Sequence, residues 1–185
     1  MHQPLILGCL IIEFTITQNA RQEKCFHNVL CLREAKGMDI KMLLDISAPI
    51  VPFKGFGEIK LYSTRDELRK LLEKEDVESK IINNDWIRYD IQNSVELFFH
   101  LRNNKLFRIT TLDSYQGKLF EKIGVGTTEK ELLEVEPSFV YNEFEEVWES
   151  EKGIFIETDV ETNTVRWISV YIRELDDEDF ENANW

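Results

Sequence analysis

The chain has 185 residues, 43% of them hydrophobic, and a formal net charge of −13. That length and apolar content suffice for a sizeable buried core, as one domain or as two half-domains sharing an interface, and point to a folded, soluble protein. Up to Phe120 there are 17 basic and 16 acidic residues, and from Glu121 onward 5 and 19, so the whole excess of negative charge lies in the second half. A surface that contacts nucleic-acid phosphates needs clustered Lys and Arg, which excludes the second half from that role and suits it to a basic protein partner.

The opening MHQPLILGCLII is apolar, and Ile6-Leu7-Gly8-Cys9 has the outline of a lipoprotein processing site. No Lys or Arg precedes the run, Leu7 is bulky, and the stretch is shorter than the roughly 7–15 apolar residues a signal requires. Interrupted by Glu13, it is also too short to span a membrane. The three cysteines, Cys9, Cys25 and Cys31, all fall in the first 31 residues, an arrangement that fits a reducing compartment. Cys25, His27 and Cys31 lack a fourth partner at zinc-finger spacing and read as isolated side chains. Residues 1–41 are therefore read as an N-terminal extension that need not belong to the core fold, with Met38 or Met42 as a natural start; the other reading docks this segment, as a strand or helix, on the first of two repeats.

From Gly57 to Leu72 the chain reads GEIKLYSTRDELRKLL, and KIGVGTTEKELLEV repeats its pattern at one offset: Ile59, Leu61, Ser63, Glu67, Leu68 and Leu71 correspond to Ile123, Val125, Thr127, Glu131, Leu132 and Val135. A constant offset that keeps caps and apolar positions together is the signature of an internal repeat. Pro49 and Pro52 make the lead-in extended, and a short strand is expected over Glu58 to Leu61. Ser63 or Thr64 then caps a helix bearing Leu68, Leu71 and Leu72, and Thr127 or Thr128 with Glu131 does the same before Pro137.

Strands follow each helix. Trp86 to Ile91 alternates, and Val95 to Leu101 pairs with Leu106 to Leu112; in the second copy Glu143 to Ser150 leads to Ile154 to Val160 and Val165 to Ile172. Trp86 and Trp148 occupy similar places, as do Asn104 and Asn163. The expected fold class is α+β: two tandem helix-plus-antiparallel-meander repeats, residues 42–115 and 116–173, forming one continuous sheet with helices on one face. Residues 174–185, dense in charge, are expected to be a solvated acidic tail.

The pattern of Gly57-Glu58-Ile59-Lys60-Leu61 with Ser63 and Glu67, and of Ile123-Gly124-Val125 with Thr127, Glu131, Pro137, Trp148 and Asn163, resembles the BamE/SmpA and beta-lactamase-inhibitor-protein (BLIP-like) superfamily. The resemblance covers residues 57–172 and rests on structural motifs. It implies a concave sheet face that grips a protein, and the acidic composition is similar to that of bacterial immunity proteins, which neutralise toxins delivered by neighbouring cells.

Chemistry is scarce. Only His2, His27 and His100 could serve as catalytic imidazoles, and none has a Ser or Cys with an orienting carboxylate at a recognisable spacing. Carboxylates come in solvated runs instead of isolated pairs. Gly124-Val125-Gly126 lacks the third glycine and the Lys of a phosphate cradle. No enzyme, cofactor or metal is expected.

Strand alternation places Ile168, Val170 and Ile172 on the core side and Trp167 and Tyr171 opposite them, beside Glu157 and Asp159. With Glu145 and Trp148, these six are the expected partner-binding residues. They suit a non-enzymatic inhibitor, an immunity protein that masks a basic toxin domain such as a nuclease in the cytoplasm; the alternative is an envelope-associated assembly factor.

Overall fold

The structure, a computed structural model, describes residues 44–185. The readings made on Cys9, Cys25, His27, Cys31 and Met38 lie outside the described residues. Among those described, no helix is long and apolar enough to cross a membrane.

The described chain opens with a small antiparallel sheet of three two-residue strands, β1 (Ile50–Val51), β2 (Gly55–Phe56) and β3 (Ile59–Lys60). Gly55 is required here: its φ is +123°, and a Cβ would collide with the carbonyl oxygen of Ile59 across the ladder. A single helical turn, α1 (Arg69–Leu72), leads into four strands, β4 (Val77–Ile82), β5 (Trp86–Ile91), β6 (Val95–His100) and β7 (Leu106–Thr111). The one longer helix, α2 (Glu129–Val135), precedes four more, β8 (Val140–Asn142), β9 (Val147–Ser150), β10 (Ile154–Asp159) and β11 (Thr164–Tyr171). These eight strands make one antiparallel sheet in the order β4-β5-β6-β7-β11-β10-β9-β8, so the last strands of the two meanders meet at its centre.

The expected α+β class is thereby corrected: the protein is mostly β, an eight-stranded and a three-stranded sheet with one real helix. The first helix fails for a physical reason. Leu68, Leu71 and Leu72 are already buried by one turn, and the following Glu73-Lys74-Glu75-Asp76 offers no apolar group whose burial would offset the cost of extending the helix. Of the eight strands of the large sheet, two went unforeseen, β4 and β8. Both are sheet edges, where half-exposed residues leave little alternation to read.

The two copies nevertheless make matched hydrogen bonds. Tyr62 N donates to Leu106 O, Leu106 N to Ser63 O and Arg65 N to Asn104 O; in the second copy Gly126 N donates to Val165 O, Val165 N to Thr127 O and Glu129 N to Asn163 O. Asn104 and Asn163 both adopt left-handed backbone, φ 57° and 51°, at equivalent hairpin turns. Thr64 with Glu67 and Thr128 with Glu131 each close a reciprocal capping box, the threonine hydroxyl accepting from the glutamate amide at 3.3 Å in both.

One face of the large sheet carries Ile91, Leu97, Ile109, Ile154, Ile156, Ile168 and Val170, all essentially inaccessible. The small sheet packs there, since a Cβ on Gly55 would come within 3.1 Å of the Ile109 side chain. So does α2, whose Glu129 carboxylate accepts from the Thr158 hydroxyl at 2.7 Å.

Among the described residues, the other face is covered at one end only. Residues 173–182 form two 3₁₀ turns, Arg173–Asp176 and Phe180–Asn182, that lay Phe180 against Phe107 and Trp86. Trp185 stacks on Phe180 with ring centroids 5.4 Å apart. The solvated tail expected from the charge run is corrected by these two aromatics, which bury enough apolar surface to dock it.

Candidate functional site

Beyond the docked tail, none of the other described residues covers the remainder of this second face, which is hollowed. Register places its residues: Phe155 pairs with Ser169 and Glu157 with Trp167 across β10 and β11, Ser169 with Thr110 and Tyr171 with Arg108 across β11 and β7, and Arg108 with Phe98 and Thr110 with Glu96 across β7 and β6. Opposed residues share a face, so the groove is built from both copies.

Its centre is a hollow of about 490 Å³ lined by Arg108, Thr110, Phe155, Trp167 and Ser169 among others, with Glu96, Glu145, Glu157 and Asp176 around it. An adjoining, more open hollow of about 930 Å³ shares Phe155 and Asp176 and adds Glu149, Lys152 and Tyr171. Together they form one depression with an aromatic floor and an acidic rim.

The six residues expected from the sequence are dispersed. Glu157 and Trp167 lie side by side in the groove, and Glu145 is on its rim. Tyr171 is 4% exposed and stacked on Phe155 at 4.4 Å between centroids, part of the floor and not a projecting anchor. Asp159 caps the β10–β11 turn, its Oδ1 accepting from the amides of Glu161 and Thr162 at 3.1 and 2.9 Å. The register skips Arg166 of β11 between Glu157 and Thr158, so Asp159 lies opposite Thr164 at the end of the strand. Trp148 pairs with Ile156 and its Nε1 donates to Glu129 of α2 at 3.5 Å, which places it on the helix side of the sheet. Trp86 lies on the opposite, tail-covered side, so the two tryptophans are not equivalent.

Reading the site from the second copy alone missed Glu96, Phe98, Arg108 and Thr110. They stand at alternate positions of strands that were expected, and the missing information was that β7 neighbours β11. Also missed were Phe144 and Val160, each 90% exposed, and Tyr141, 43% exposed. Tyr141 and Val160 border a second acidic hollow with Glu145, Glu146, Glu157 and Arg166.

Burial sets the electrostatics. Desolvation pushes the Glu157 carboxyl above its ordinary range, with Glu146 adding to the shift and Arg166 at 3.5 Å opposing it. Burial likewise raises Glu96, although Arg88 lies 3.1 Å away, and raises Asp176, with Glu149 and Asp177 acting in the same direction. The Arg108 guanidinium is lowered to about 10, chiefly by burial. Asp159 moves the other way, held below the carboxylate range by the turn amides and hydroxyl it accepts from.

Nothing in this arrangement resembles a nucleophile with its base. His100, the one described histidine, is buried under the tail, where its Nδ1 accepts from the Arg102 amide and its Nε2 lies 3.3 Å from Glu181. Among the described residues, no group of three or more His, Cys, Asp or Glu is placed to hold a metal ion. What the groove can do is bind: it offers aromatic area, a ring of carboxylates and one central cation. No family model matches the chain, and no curated protein or solved structure is similar to it.

Proposed function

We propose that the protein is a non-enzymatic binding protein whose open sheet face masks a basic protein partner, in the manner of an immunity protein neutralising a toxin domain in the cytoplasm. The observation that carries this reading is the pairing of Trp167 with Glu157 at the centre of a hollowed face rimmed by Glu96, Glu145 and Asp176. Carboxylates speed the encounter with a basic surface and exclude acidic competitors, while desolvated rings supply much of the affinity. Exposed Phe144 and Val160 extend the apolar contact beyond the groove. The motif resemblance to protein-gripping superfamily members supports the same reading.

The test is capture from the native host followed by titration. A captured partner should be basic, and its affinity should fall at least tenfold in Glu145→Lys with Glu157→Lys, and fall further as salt rises from about 0.1 to 0.5 M. An acidic partner, or binding indifferent to both changes, would sink the proposal. Envelope association on fractionation would favour an assembly role instead.

A further inference from the structure

The groove is acidic at its rim, yet its floor holds a cation. Arg108 lies flat over the Phe98 ring with its guanidinium carbon 3.7 Å from the centroid. Its Nε is fully buried and has no hydrogen-bond partner among the described residues. None of the ion pairs among the described residues includes it: Glu96, the carboxylate whose charge it feels most, is engaged by Arg88 at 3.1 Å. The neighbouring hydroxyls of Thr110 and Ser169 are bonded to each other at 2.8 Å and do not satisfy it.

A buried, incompletely paired guanidinium costs free energy that well-packed apolar residues at the same place would not. Phe98 fixes the plane of its fork, so the donors are held in position before any ligand arrives. We propose that Arg108 is the central subsite of the groove and receives a carboxylate side chain of the protein partner, which is flanked there by Lys or Arg residues that meet the acidic rim. The proposal rests on the masking function above and refines it: the recognised segment is charge-alternating, cation–carboxylate–cation, and not simply basic.

The occupant is set by charge complementarity. A planar carboxylate matches the guanidinium fork. A phosphate dianion would bring twice the charge past Glu96, Glu157 and Asp176, and a uniformly basic segment would place a cation against Arg108. A carboxylate between two cations satisfies floor and rim together, and a hollow of about 490 Å³ accommodates a side chain of that size with its neighbours.

The experiment titrates the full chain with two synthetic peptides, acetyl-Lys-Gly-Glu-Gly-Lys-amide and the same peptide with Gln for Glu, reading the Trp167 indole and Arg108 Nε–H signals by NMR. The Glu peptide should bind about tenfold more tightly and shift the Arg108 signal. Arg108→Met should abolish the difference, the Glu peptide then binding no more tightly than the Gln peptide to the same variant. Should that variant fail to fold, Arg108→Lys, which keeps the charge and loses the fork, should reduce the preference to about threefold or less.

Equal binding of the two peptides overturns the subsite and leaves the acidic-face reading standing. Binding of neither overturns both. Sodium acetate alone binding as tightly as the Glu peptide would overturn the protein side chain as occupant and assign the subsite to a free small acid. Concentration-dependent shifts of the same signals without peptide would likewise overturn it and assign the groove to a second copy of the chain.

Discussion

Trp167 and Tyr171 stand on the same strand and the same face, yet they play different parts. Tyr171 is enclosed and stacked on Phe155, so Tyr171→Ala should cost about 3 kcal/mol of stability. Trp167 is only partly buried, so Trp167→Ala should shift Tm by no more than about 3 °C, a loss near 1 kcal/mol, while reducing partner binding; thermal melts with titrations of the two single variants separate the roles. Glu157 makes a pH prediction at the same scale. Its carboxyl is raised in the fold, so the native state holds its proton more tightly than the unfolded chain and stability falls as pH rises from the ordinary carboxylate range through the folded value. Glu157→Gln should therefore raise Tm at pH 7, and the gain should shrink toward pH 4, where the carboxyl is protonated. An advantage that grows on acidification would contradict the burial account.

At the scale of elements, the capping boxes and the docked tail are the two devices that depend on few residues. Thr128→Ala should cost about 1 kcal/mol, measured by denaturant unfolding, and Thr64→Ala less, because Thr128 caps α2 whereas Thr64 closes the turn ahead of α1, whose N-cap is Leu68. Glu67 and Glu131 are held below the carboxylate range by those same threonines, so their stabilisation is present at neutral pH and lost as pH falls through their folded values. The tail should detach in Phe180→Ala, with a loss of about 3 kcal/mol and new proteolytic cleavage after residue 172, because Phe180 is the contact that joins Trp185 to Phe107.

The elements show what sequence can and cannot carry. The central strands were legible where inaccessible and open positions alternate, as Ile168 and Val170 do against Trp167 and Ser169. The repeat was legible because caps such as Thr64 and Thr128 are local signals. Edge strands β4 and β8 were not, since most of their side chains are exposed, and α1 was over-extended because the Thr64 and Glu67 box closes a turn ahead of the helix instead of starting it. The tail was misread because charge density in Asp176 to Glu181 masks the two aromatic residues that dock it.

For the whole molecule, the decisive event is the meeting of β7 with β11. It joins two four-stranded meanders into one sheet and brings Arg108 and Glu96 of the near-neutral half to Trp167 and Glu157 of the acidic half. Strand adjacency is a long-range property that neither alternation nor spacing encodes, which is why the site appeared in the sequence as a property of the second copy alone. The fold thus divides its labour by face: one side holds the core under the small sheet and α2, and the other, left open beside the tail by the described residues, is the proposed binding surface.

That division is tested most directly by comparing affinities for the captured partner in two folded variants. Trp167→Ala alters the open face, and Glu134→Lys alters the exposed side of α2. At least a tenfold loss of affinity is expected in the first and none in the second; wild-type affinity in Trp167→Ala together with a loss in Glu134→Lys would place the binding surface on the helix side and overturn the division.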